Sequence, residues 1–136
     1  MSTVTTLYKG DMLFESQMGN YTLTIDVPEA IGGRDRGPMP PQLFLASLGS
    51  CVGVYIAQYC DEHGIDTTGM KVDVSCDKGD GCLENVVIDV DMPNATLDKR
   101  ATAIKRVAEH CLVHETIRQH KDIVMNIHDK SALEPA

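Results

Sequence analysis

The sequence predicts an α+β fold in the order β-β-β-α-β-β-α-β. Three observations carry it: alternating β-compatible runs cut by glycine turns over the first 27 residues, a stretch from Gly37 through Cys60 without one charged residue, and a hairpin pattern followed by a charged amphipathic helix. The 136 residues suit a single domain over 1–136 with a core of ordinary size.

Val4 to Tyr8, Met12 to Met18 and Tyr21 to Val27 read as strands separated by Lys9-Gly10-Asp11 and Gly19-Asn20. Leu23, Ile25 and Val27 alternate with Thr24 and Asp26, as a half-buried strand does. Pro28 to Pro41 is rich in glycine, proline and charge, with Arg34 and Arg36 inside it, and forms a loop long enough to carry function. Pro41 then suits the first turn of a helix that stops at His63-Gly64, some 30 Å long. A helix apolar all round is buried on all sides. Ala46, Ser50, Gly53 and Ala57, with Gly49 beside them, keep side chains small at helical spacing. One chain of this size has few elements to wrap such a helix, which points to a homodimer in which it crosses its counterpart; the alternative is the core helix of a monomer.

Met70 to Cys76 and Leu83 to Met92 form a hairpin around Asp77 to Gly81. Thr96 or Asp98 is placed to cap a second helix, whose stripe is Leu97, Ala101, Ile104, Val107 or Ala108, and Cys111. Val113 to Gln119 continues it as a shorter, offset helix. Ile123, Met125 and Ile127 form a last strand, and Ser131 to Ala136 a loose tail.

Composition excludes several function classes. Twelve Lys+Arg against 20 Asp+Glu leave a net charge of −8, without the cationic clusters that phosphate backbones need, so nucleic acid is not an expected partner. The start lacks signal-peptide character and no apolar run is read as a membrane span, so the expected setting is the cytoplasm. Five cysteines there mean packing, metal or redox chemistry rather than a disulfide framework.

Cys51 lies in the middle of the apolar helix and Cys111 closes the stripe of the second, so both point inward and a redox pair or two inert core thiols are the alternatives. Cys60 is half a turn out of phase with Cys51 at about 100° per residue, which makes it a packing residue. Cys76 and Cys82 flank the hairpin turn, where a bridge depends on a register that sequence does not give. His110, Cys111 and His114 lack a second ligand cluster for zinc, and the histidines suit a helix C-terminus instead. No phosphate loop or nucleophile elbow is present, and no cofactor is expected.

Pro40-Pro41-Gln42-Leu43-Phe44-Leu45-Ala46-Ser47-Leu48-Gly49-Ser50-Cys51, followed by Tyr55 to Ile65, resembles the first cysteine helix of the OsmC/Ohr family. His110-Cys111-Leu112-Val113-His114-Glu115 resembles its second cysteine motif, usually written Cys-Pro-Val-His. The resemblance implies an intertwined homodimer with long central helices flanked by antiparallel sheets from both chains. It also implies reduction of organic hydroperoxides: Cys51 attacks the peroxide, its sulfenic acid condenses with Cys111, and an external dithiol resets the pair. The chain departs from the family pattern in three places. Pro41 stands where peroxidase members carry a glutamate, no arginine precedes Arg34, and Leu112 replaces the motif's proline. The guanidinium that serves the thiolate would then be Arg34 or Arg36, held by Glu29 or Glu115. The rival expectation is a non-catalytic relative that binds a small apolar ligand at the dimer interface.

Overall fold

The computed structural model describes residues 2–120 and 122–130, so the expected tail lies outside the described residues. Three short strands, β1 (Thr5–Tyr8), β2 (Phe14–Met18) and β3 (Tyr21–Ile25), form an antiparallel meander. Its turns pass through Gly10 and Gly19, both at positive φ where a Cβ would be strained. Pairing of Phe14 with Ile25 and with Tyr8 puts aromatic and branched side chains together at one end of this sheet.

The chain then crosses the Gly-Pro loop, which includes a single 3-10 turn at Glu29–Ile31, and enters α1 (Pro40–His63). Pro40 and Pro41 occupy the first turn, where their missing N–H groups cost nothing, and the Gln42 side chain accepts the Met39 N–H at 2.9 Å. Gly64, at φ 65°, ends the helix by donating its N–H to the Cys60 carbonyl.

β4 (Lys71–Lys78) and β5 (Leu83–Asp91) form the hairpin, with Val72 opposite Val90 and Val74 opposite Ile88. This face packs on α1. A Cβ on Gly49 would stand 3.0 Å from Val74, and one on Gly53 3.7 Å from Val72. Two of the small residues expected to admit another helix therefore admit a strand of their own chain.

α2 (Arg100–Glu109) and α3 (Leu112–Gln119) complete the core. Neither Thr96 nor Asp98 caps α2. Asp98 has φ 47°, outside the extended range of a cap, and Lys99 takes the N-cap without a side-chain bond. Arg100 donates to the Tyr59 hydroxyl at 3.0 Å and ties the start of α2 to α1. The core consists of Leu48, Val52, Ile56, Cys60, Ile104 and Cys111, and no residue of the N-terminal sheet joins it.

Three expectations change. Within one chain α1 buries a single stripe of Leu48, Gly49, Val52, Ile56 and Cys60, while Ala46, Ser50 and Val54 face outward. By length and composition α1 would also qualify as a membrane-crossing helix, contrary to the reading that no such run exists. Its buried stripe against β4 and α2 gives it the place of a core helix. The segment expected as a last strand forms none among the described residues: Ile123, Met125 and Ile127 carry no regular structure and are 87%, 80% and 88% exposed. A strand needs an edge to pair with, and among the described residues this segment pairs with none.

Candidate functional site: a pair of thiols between three helices

Cys51 sits on α1 at the margin of its buried stripe and is half-buried. Cys111 is fully buried and stands at the junction of α2 and α3. The helical stripe of α2 ends at Glu109, and the chain turns through His110 so that Cys111, with extended backbone, becomes the N-cap of α3. Its sulfur accepts the N–H of His114 at 3.4 Å, as a capping side chain accepts an orphan N–H at a helix start.

The structure brings these two cysteines together. Both thiols are free, and they stand close enough that Cys51 perturbs Cys111. Burial pushes the Cys111 thiol up, the His114 N–H opposes that, and the neighbouring Cys51 adds to the rise. Cys60 is buried in the same core, where desolvation raises its thiol.

Register settles the hairpin cysteines. Lys78 pairs with Leu83 and Asp77 with Glu84, so Cys82 falls in the turn beyond the last pair, while Cys76 lies in the irregularity between Ser75 and Asp77. They are not cross-strand neighbours. His110 and His114 close the end of α2, their Nδ1 atoms 2.7 Å from the Arg106 carbonyl and 2.8 Å from the Glu109 carbonyl. Among the described residues no three His, Cys, Asp or Glu side chains converge as metal ligands.

The two arginines of the Gly-Pro loop are placed differently from each other. Arg36 donates Nε–H to Asp26 at 2.6 Å and an Nη2–H to the Asp11 carbonyl at 2.9 Å. Asp26 also accepts the backbone N–H groups of Val27, Arg34 and Arg36, and the Arg36 guanidinium holds its carboxyl well below the usual carboxylate range. Among the described residues the Arg34 guanidinium pairs only with the exposed Asp11 carboxylate, at 3.1 Å. Among the described residues no hydrogen bond or ion pair joins either arginine to Cys51 or Cys111. Glu115 is occupied by Arg118 at 2.9 Å and Gln119 at 2.6 Å, so it holds neither loop arginine. Gln119, first among these partners, keeps the Glu115 carboxyl below its ordinary range.

Sequence reasoning missed a cavity of about 390 Å³ between α1, β5 and α2. Val52, Ile56, Ile88, Val90, Ile104 and Ala108 supply its apolar walls, with Lys105, Glu109 and His114 also lining it. Its signal was present only as apolar stripes on three separate elements. His114 belongs both to this lining and to the cap of Cys111.

Comparison with other proteins places the fold and the family. In fold the chain is similar to a protein of Psychrobacter arcticus described as an osmotic stress induced and detoxification response protein, with 25% identity over 90% of each chain and a TM-score of 0.78. It is similar in fold to an organic hydroperoxide resistance protein OsmC of Legionella pneumophila (17% identity, 88% and 90% of the two chains, TM-score 0.62). The organic hydroperoxide resistance protein OhrB of Bacillus subtilis is another such neighbour (24% identity, 88% and 91%, TM-score 0.60). Among curated proteins none matches the chain in sequence. A family model described as OsmC-like protein matches residues 32–126, a span that includes both thiols, and the chain therefore belongs to the OsmC-like proteins.

Proposed function

We propose that this chain is a thiol-dependent reductase of organic hydroperoxides that works as a homodimer. One observation carries the reading: the half-buried thiol of Cys51 and the buried thiol of Cys111 are brought together from separate helices, and both are free. Membership of a family whose structural neighbours include organic hydroperoxide resistance proteins supports it.

The chemistry runs in three steps. The Cys51 thiolate attacks one peroxide oxygen, the O–O bond breaks, and the departing alkoxide takes a proton to leave as alcohol, with Cys51 now a sulfenic acid. The Cys111 sulfur displaces that hydroxyl as water and forms the Cys51–Cys111 disulfide. An external dithiol then returns two electrons by exchange, being itself oxidised to a disulfide. The apolar cavity next to the pair would take the alkyl part of the peroxide, favouring organic hydroperoxides over hydrogen peroxide.

A guanidinium near Cys51 would hold the thiolate and neutralise the leaving oxygen. Arg36 is committed to Asp26, which leaves Arg34, on its exposed and weakly held ion pair, as the better candidate. An intertwined homodimer would supply the missing neighbours. The outward face of α1, the N-terminal sheet that contributes nothing to the core, and the exposed Ile123 to Ile127 segment all support association with a second copy. The cavity also favours one alternative, a non-catalytic relative that binds a small apolar ligand; there a Cys51→Ser variant would keep its ligand affinity.

The test is the rate of cumene hydroperoxide consumption with dithiothreitol as reductant. Cys51→Ser abolishes turnover under this reading. Full activity in that variant would overturn it.

A further inference from the structure

We propose that Cys51 is the sulfur through which reducing equivalents enter, and that Cys111 is the internal thiol released when they do. The inference rests on the hydroperoxide reading only for its physiological setting. The exchange step itself concerns the oxidised pair, however that pair was formed.

Access decides the direction of attack. Thiol–disulfide exchange requires the incoming thiolate to approach one sulfur in line with the bond that breaks. Cys111 has 0% exposure within a single chain, enclosed by the core that includes Ile56, Cys60 and Ile104. Association with a second copy can only cover it further. Cys51 lies at the margin of the buried stripe of α1 and keeps part of its surface. An external thiolate therefore meets Cys51, and the sulfur expelled is that of Cys111.

The surroundings of Cys111 suit a leaving group that stays put. Its sulfur is at the N-cap of α3, 3.4 Å from the His114 N–H, where the start of a helix favours developing negative charge. Burial then draws a proton onto it, since desolvation disfavours the thiolate. A protonated Cys111 attacks the mixed disulfide more slowly than a thiolate does, which slows reversal of the step. The second thiol of a dithiol has time to complete the exchange. The reductant thiolate bonds to Cys51 while the Cys51–Cys111 bond breaks and Cys111 takes up a proton. The reductant's second thiolate then displaces Cys51, leaving the reductant as a cyclic disulfide and the protein with two thiols. Two electrons pass from reductant to protein.

The test uses a Cys76→Ser, Cys82→Ser double variant, which removes the two cysteines outside the core. It is oxidised with diamide, so that the disulfide forms without any peroxide, treated briefly with 2-mercaptoethanol, quenched in acid and mapped by peptide mass. The expected result is the mercaptoethanol adduct on Cys51 with Cys111 as a free thiol. An adduct on Cys111, an equal division between the two, or no Cys51–Cys111 bond after diamide would overturn the proposal. A second measurement compares single variants with hydroxyethyl disulfide: Cys111→Ser forms a mixed disulfide at Cys51, whereas Cys51→Ser reacts at Cys111 only in denaturant. Equal native reactivity of the two variants would contradict it as well. Failure of hydroperoxide to oxidise the pair, with the diamide result intact, would remove the peroxidase reading alone.

Discussion

Arg36 and Asp26 form the best-buried ion pair among the described residues, with Nε 2.6 Å from a carboxylate whose residue is only 1% exposed. The pair organises the loop before α1, because the same carboxylate gathers the N–H groups of Val27, Arg34 and Arg36. An Asp26→Ala variant leaves the guanidinium and three N–H groups without their acceptor. It is expected to lower the urea midpoint and to open the loop to proteolysis between Pro28 and Pro38. An unchanged cleavage pattern would remove this role for Asp26.

The same carboxylate predicts an acid response. Its pKa in the folded chain is depressed, so its contribution to stability is present above its ordinary value near 3.8 and is lost as pH falls below that. Asp26→Asn carries no such titration. Unfolding followed by circular dichroism from pH 5 to pH 2 should show a smaller acid loss in Asp26→Asn than in the wild type.

Gly33 offers a separate check on the loop. A Cβ there would collide with the Val27 carbonyl oxygen and the Asp26 carboxylate, neither of which can move without breaking the clasp. Gly33→Ala should therefore mimic Asp26→Ala in proteolysis. Gly10→Ala makes a useful contrast, since a Cβ there meets nothing within 4 Å and its cost comes from φ 89° alone.

Much of this was legible in the sequence. A charge-free run opened by prolines and closed by His63-Gly64 can hardly be anything but one long helix, and α1 spans Pro40–His63. The hairpin alternation placed Val72 and Val74 inward correctly, and the inward stripe of the second helix led to Cys111. Three things were not legible. The cap of α2 depended on the positive φ of Asp98, which propensity does not encode. The relation of Cys76 to Cys82 depended on a local register shift. The strand expected over Ile123 to Ile127 has the right alternation, but alternation specifies a strand only where an edge exists to pair with. The buried Asp26 read as the polar side of a strand, although it is the centre of a loop clasp.

The core makes a quantitative prediction. Ile56 is 1% exposed and lies between Val52 and Cys60 on the stripe of α1. Ile56→Ala should destabilise the fold by about 2–5 kcal/mol, read from urea unfolding. A loss well under 1 kcal/mol would mean that this stripe is not the centre of the core.

The exposed segment tests association. Ile123 and Ile127 are too apolar and too exposed to be left in water, so a Met125→Lys, Ile127→Lys double variant should weaken or abolish a homodimer. Sedimentation velocity should give a dimer for the wild type and a slower species for the variant. A wild type that sediments as a monomer at all concentrations would exclude the association proposed here.

The central claim is that Cys51 and Cys111 are a working redox pair. The most direct measurement is disulfide mapping by mass spectrometry after the reduced protein meets one equivalent of cumene hydroperoxide. The account predicts a bond between Cys51 and Cys111, loss of those two free thiols, and Cys60 still reduced. Cys51 and Cys111 remaining as free thiols after the peroxide is added would contradict it.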